Sequence, residues 1–242
     1  MVMFDDKDIA MWTREEADHR LYRQDILVRT AELDDIESMV RINVQSIEIL
    51  GEDGLFMPMS ADFFAGVVPS GFSIVLEKDD EILGYSVAVP AGHSSPAFFP
   101  VTDDRRVGLL FGTALVPQLM RQGWQKWLIK LRLATFQSIG YTEAQCTVSP
   151  FNVSSLINLV GSGFQISALK LLLDGYPRFV VRNFLNGSDQ ESFEATGKRR
   201  EPLSRDRLSQ HEDWLGAGYV GVAIEKGTEL VVVYSKPRGS GT

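Results

Sequence analysis

The stretch that most constrains what this chain can fold into is 114–164, read with the strand-like run GLLFGTALVP that leads into it. A turn, QLMRQG, follows that run, and then a helical segment, WQKWLIKLRLATFQSIG. A short strand pattern, TEAQCTVSP, leads into a second short helix, FNVSSLINLVGSGF. A strand that feeds a Gly-containing turn into a helix N-terminus is an anion site. The first N–H groups of the helix have no carbonyl one turn back and point at whatever sits there. Phosphate suits the place best. The turn at 120–126 is therefore expected to hold a phosphate-bearing cofactor through backbone rather than through a cage of charged side chains.

The flanking segments read as a mixed α/β chain. Ile26 to Arg29 is strand-like, and Glu32, Asp34 and Asp35 place acids at a helix start, where the dipole favours them. Ile36, Met39, Val40 and Ile42 continue that helix. GEDGLFMPMS is a loop and SADFFAGVV a short helix, stopped by Pro69 and Gly71. FSIVLEKDDEILGYSVAVP sets two β-branched runs around Lys78-Asp79-Asp80-Glu81, a β-hairpin pattern. In the helix after the turn, Trp124, Trp127, Leu128 and Leu131 fall on one face, and Gly140 closes it. QISALKLLL and RFVVRNFL read as two further strands. The expected organisation is an extension at 1–23, a main domain at 24–185, a polar linker at 186–218, and a β-hairpin with tail at 219–242.

Charge and cysteine usage narrow the function classes. With 242 residues the chain can bury a sizeable core, as one domain with appendages or as two small domains. A net charge of -8 argues against a nucleic-acid partner. The one cysteine, Cys146, excludes an intrachain disulfide framework and suits a reducing compartment. No apolar run is long enough to cross a bilayer, and the opening MVMFDDKDIAMW is acidic where a signal peptide is basic. A cytoplasmic protein without a membrane partner is expected. Three scattered histidines and one cysteine give no metal-ligand spacing, so no metal is expected.

In this order the segments resemble the GNAT superfamily of acyl-CoA N-acyltransferases, over about residues 26–185. VRTAELDD resembles the family's opening strand and first helix start, and IVLEKDDEILGYSVAVP its second and third strands, with Gly84 at the usual glycine. VPQLMRQGWQKWL resembles the cofactor loop, which typically runs Pro, two residues, Arg-Gly-x-Gly-x-Gly. SPFNVSSLINLVGSGF resembles the closing motif, with Asn152, Gly163 and Phe164 at the family's spacing. The chain departs from the pattern at three places. Met120 occupies the loop's Arg position and Arg121 comes one place later; Gln125 replaces the second helix glycine; Leu159 falls where many members carry a tyrosine that protonates the leaving thiolate. Gly123 is retained.

The resemblance implies an α/β (α+β) fold: a mixed, mostly antiparallel central sheet flanked by helices, here with a C-terminal β-hairpin extension. It implies acetyl-CoA or another acyl-CoA as co-substrate. An amine of a small molecule, amino acid or peptide would attack the thioester directly in a ternary complex. Leu115, Val116 and the turn residues Met120, Arg121, Gln122, Gly123, Trp124 and Gln125 would bind the cofactor, with a splayed backbone at 115–117 offering an N–H to the thioester. Asn152 and Ser155 would touch the pantetheine arm, beside the helix-capping role both residue types fill well. His93, in the loop after the third strand, is a candidate general base or an ordinary surface histidine. Cys146 reads as a buried, inert thiol. Lys198-Arg199-Arg200 reads as part of a solvated linker.

The alternatives are a catalytically degenerate GNAT-like module that binds an acyl thioester or a protein, and an acyltransferase with a carrier-protein-bound donor. A homodimer is compatible with either. Phe56, Met57, Met59, Phe63, Phe64, Phe98 and Phe99 suggest an apolar or aromatic acceptor or a longer acyl chain, and serve equally well as plain core.

Overall fold

The computed structural model describes residues 12, 20–91, 106–172, 175–185, 193 and 197–238. The chain divides into two compact units, 1–144 and 145–242. In the first, strands β1 (Arg20–Arg23), β2 (Ile26–Thr30), β3 (Ile74–Lys78), β4 (Glu81–Pro90) and β5 (Val107–Leu115) lie side by side in chain order, each antiparallel to the next. Helices α1 (Ile36–Leu50) and α2 (Ala61–Val67) connect β2 to β3, and α3 (Trp124–Ser138) follows β5. Strand β6 (Glu143–Val148) spans the division between the units.

Three local features fix this unit. The β3–β4 turn takes Asp79 and Asp80 at φ 50° and 63°. Positive φ at both central residues is the turn whose twist matches a hairpin, and Asp tolerates it better than most residues. Arg29 on β2 grips Asp35 with both terminal nitrogens at 2.7 and 2.8 Å, and Glu77 on β3 with Nε at 2.6 Å. These two carboxylates raise the guanidinium pKa further, against the effect of its burial. Buried Asn43 on α1 donates to the Met57 carbonyl and to Tyr85 Oη, and accepts from the Met59 amide. One amide side chain thus pins the loop between α1 and α2 to β4. Burial pushes the Tyr85 phenol up, so it stays neutral within this network.

Strand β5 carries a bulge. Val87 pairs with Gly112 and Ala88 with Leu110, so Phe111 is the extra residue. A bulge bends its strand and re-aims a side chain. Here Phe111 meets Phe63 of α2 edge to face at 5.5 Å. A Cβ on Gly112 would stand 2.9 Å from Met59 Cε, the mobile end of a side chain that would have to shift to admit it.

In the second unit, α4 (Val153–Val160), β7 (Gln165–Leu172), β8 (Tyr176–Phe184), β9 (Arg199–Pro202), α5 (Leu208–Gly216), β10 (Val220–Lys226) and β11 (Leu230–Ser235) follow one another along the chain. The strands stand in the order β8-β7-β10-β11-β9. The C-terminal hairpin forms as expected and is docked: Gly221 pairs with Ile166, and β11 pairs with β9.

Two expectations need correction. The segment 186–218, read as a polar linker, contains β9 and α5. The extension 1–23 contributes β1, which pairs with β2 from Arg20 to Arg23. The inward groups of this polar stretch are polar rather than apolar. His211 of α5 is fully buried, with Nδ1 2.7 Å from Tyr234 Oη and Nε2 3.0 Å from the Pro202 carbonyl. A carbonyl only accepts, so Nε2 carries the proton and Nδ1 takes the phenol's hydrogen bond. Burial holds the imidazole below its usual pKa, and neutral. Glu201 of β9 is buried and accepts from Trp214 Nε1 at 3.3 Å. Among the described residues, no helix is long and apolar enough to cross a membrane.

Candidate functional site: the turn before α3 and the cap of α4

The end of β5 sets the backbone donors of the site. Leu115 pairs with Gly84, and the Val116 amide donates to the Leu83 carbonyl at 2.9 Å. Alternate residues of an antiparallel strand aim their amides at opposite edges. The Val116 N–H is therefore committed to β4 and is not a thioester donor. The Leu115 N–H faces the other edge of β5. Pro117 then ends the ladder, having no N–H to give, and opens a single helical turn, Pro117–Leu119.

The turn itself is held by its own backbone. Leu119 and Met120 donate to the Val116 and Pro117 carbonyls at 3.0 and 3.1 Å, and Gln122 Nε2 donates to the Gln118 carbonyl at 2.6 Å. Arg121 sits at φ 61° and Gly123 at φ 84°. Gly123 is the N-cap of α3, and its carbonyl takes the first helical bond, from the Trp127 amide at 3.1 Å. No side chain caps this helix, and no acid stands in its first turn. The site has the ingredients of an anion cradle: left-handed residues, a helix dipole, and first-turn amides without carboxylate competition. Arg121 occupies the place of the first loop glycine in the GNAT pattern, and it adopts the conformation a glycine would take. A left-handed non-glycine residue costs roughly 1–2 kcal/mol, so the flanks impose this shape against the residue's preference.

The remaining turn residues divide by exposure. Arg121 and Gln122 are exposed, Met120 and Gln125 half-buried. Trp124, expected as a ligand contact, is 1% exposed, so its indole faces inward and only its backbone belongs to the turn. Its ring stands edge to face with Trp127 at 5.7 Å. The Arg23 guanidinium of β1 lies over both rings, 5.2 and 4.9 Å from their centroids. Nothing in the sequence pattern identified Arg23, because cation–π partners far apart in sequence leave no periodic trace. Arg132 of α3 is also buried. It donates to the Val87 carbonyl at 2.6 Å and to Thr113 Oγ1 at 3.1 Å, and Thr113 meets Ser86 at 2.7 Å. These bonds fix α3 against β4 and β5 and thereby set where the turn stands.

The second unit carries the other expected motif. Asn152 caps α4: its Oδ1 accepts from the Ser155 amide at 3.2 Å. The cap is preceded by a tight turn, in which the Asn152 amide donates to the Ser149 carbonyl and the Phe151 amide to Ser149 Oγ. The Arg205 guanidinium stands 4.3 Å from the Phe151 ring centroid. Leu159 is buried at 4% exposure, a packing residue with no proton to donate. Gly163 lies at φ 93°, followed by fully buried Phe164. Cys146 is buried, and its thiol donates to the Thr147 carbonyl at 3.3 Å. His93, with Phe98 and Phe99, lies outside the described residues. Among the described residues, no group of three or more His, Cys, Asp and Glu side chains is placed to hold a metal ion.

Neither the known family profiles nor the curated proteins contain a match to this sequence. Solved structures do match. Ard1 from Thermoplasma volcanium aligns at TM-score 0.53 and 15% identity, over 66% of this chain and 97% of its own. A chain of the NatC complex bound to Gag peptide and CoA aligns at 0.51 and 15%, over 67% and 100%. The protein yncA from Salmonella typhimurium, solved with its cofactor acetyl-CoA, aligns at 0.50 and 13%, over 68% and 96%. The chain has the fold of the GNAT acetyltransferases, and about a third of its length lies outside each alignment.

Proposed function

We propose that this chain is an acyl-CoA-dependent N-acyltransferase that moves the acyl group, acetyl in the simplest case, to an amine of a small molecule, amino acid or peptide. The observation that carries the reading is the turn 120–126: a left-handed Gly123 N-cap, no side-chain cap and no acid, in a fold whose solved examples include chains bound to CoA and acetyl-CoA. The diphosphate would lie on the first-turn amides of α3. Asn152 and Ser155 are the proposed contacts to the pantetheine arm.

The chemistry asks little of side chains. The amine nitrogen attacks the thioester carbonyl, a C–N bond forms, and the Leu115 N–H stabilises the developing oxyanion. The nitrogen gives up a proton to a base, for which His93 is the candidate. The C–S bond then breaks. Leu159 cannot supply the thiolate's proton, which comes from water or another group. The half-buried wall of Phe56, Met57, Phe63 and Phe111 beside Gly112 suits an acceptor with apolar bulk near its amine.

The buried Leu159 favours a second reading, a module that binds an acyl thioester without transferring its acyl group. Calorimetry with CoA and acetyl-CoA, followed by free-thiol release across a panel of amines, separates the two. Binding with amine-dependent thiol release supports the transferase; binding with no release on any amine supports the module; no binding of either ligand overturns both.

A further inference from the structure

We infer that Arg205 is a positioning residue of the acyl-thioester site, acting through Phe151 on the Asn152 cap of α4; the inference rests on the function proposed above. The chain reaches this point in steps that lie wholly within the second unit. Leu203 donates to the Leu230 carbonyl at 2.8 Å, which ties the segment after β9 to the hairpin. Ser204 Oγ donates to Asp206 Oδ1 at 2.7 Å, and the Arg207 amide donates to the Ser204 carbonyl, which closes a single helical turn at Arg205–Arg207. That turn presents the Arg205 guanidinium to the face of Phe151, 4.3 Å from its centroid.

Phe151 is the residue immediately before the cap. Its own amide and that of Asn152 are both spent on Ser149, so the ring and the cap belong to one rigid turn. A guanidinium held on the ring restrains the rotation of that turn and keeps Asn152 Oδ1 on the Ser155 amide at 3.2 Å. The segment that supplies Arg205 is the one read from composition as a linker. It acts instead as a brace on a loop proposed to touch ligand.

The test uses the full chain with Arg205→Ala, Arg205→Lys, Phe151→Leu and the double variant. Phe151→Leu removes the π face while keeping apolar bulk. Two quantities are read: hydrogen exchange of residues 150–157 without ligand, and the dissociation constant for CoA by calorimetry. A cation–π contact at a partly exposed ring corresponds to about a two- to fivefold change in an equilibrium constant. Arg205→Ala should therefore speed exchange at Ser155 and Leu156 and weaken CoA by about that factor, Arg205→Lys should recover part of both, and Arg205→Ala in the Phe151→Leu background should add nothing. Unchanged exchange overturns the brace itself. Faster exchange with unchanged CoA affinity overturns its role at the site. Full additivity of the two substitutions shows that Arg205 acts independently of Phe151 and overturns the route through its ring. A parent chain that binds no CoA overturns the proposed function, and the positioning role with it, while the exchange arm still reports whether the brace exists.

Discussion

Gly123 and Arg121 share a left-handed backbone and differ in what they can give up. Gly123 is the N-cap of α3, where a side chain would add both strain and bulk beside the first-turn amides. Gly123→Asp should abolish CoA binding: calorimetry should give no heat at concentrations that saturate the parent, with the fold retained by circular dichroism. Arg121 already bears the cost of φ 61°. Arg121→Gly should leave the melting temperature unchanged or raise it by a few degrees, since the strain it relieves is comparable to the entropy glycine adds to the unfolded chain. A clear fall in melting temperature would show that the Arg121 side chain holds the turn. The sequence showed Gly123, the arginine shift and Leu159 directly, because these are comparisons of residue type at fixed spacing. It did not show that Trp124 faces inward or that Val116 has spent its amide. Both depend on partners, Arg23 and Leu83, that come from other strands.

Elements were most legible where the apolar period is strong. Strands β2 to β5 and helices α1 to α3 fall where alternation and helical spacing put them, and the Asp79-Asp80 turn follows from its residue types. Strand β9 and helix α5 were not legible. Their buried members include Glu201 and His211, polar residues that composition assigns to a solvated linker. The bulge at Phe111 was equally invisible, since it adds one residue without changing the pattern. Two predictions belong to this scale. Leu159→Ala should cost about 2–5 kcal/mol in urea unfolding, the usual range for a buried leucine, with CoA affinity held within about twofold. A folded variant that binds CoA normally but loses turnover would give Leu159 a catalytic role. Gly221→Val should undock the hairpin, because a Cβ there would stand 2.9 Å from Ile166 and 3.1 Å from Val232. Faster exchange across β10 and β11 reads this out, and unchanged exchange would mean that Ile166 can yield.

At the scale of the whole molecule, stability should follow the charge on His211. The folded protein holds this imidazole neutral, below its ordinary value of 6.5, because burial disfavours the cation. Its contribution is fully present above pH 6.5. It is lost progressively as pH falls from there through the folded value, since protonation favours the unfolded chain. Urea midpoints at pH 7.5, 6.0 and 5.0 should fall more steeply for the parent than for His211→Gln. Parallel curves would show that the imidazole is not buried in solution. Docking of the C-terminal hairpin gives a second whole-chain test. A chain cleaved between 186 and 196 should elute as one species in native gel filtration, because β10 pairs with β7 and β9 with β11. Release of the C-terminal fragment would contradict the sheet order. Nothing in the residue pattern marks 199–202 as a strand of this sheet, because its pairing with β11 is made by backbone and leaves no apolar signature.

The cation lying on Trp124 and Trp127 has a spectroscopic consequence. Both indoles are buried, one of them at the first helical residue of the proposed phosphate turn, and both face the same charge on Arg23. Their emission should respond to the local field, so an anion arriving on the turn should register as a change in intrinsic fluorescence without any label. Removing residues 1–23 to trim the chain toward its recognisable fold would strip that cation away. The trimmed protein should emit at longer wavelength and lose the signal, even where its remaining sheet is intact.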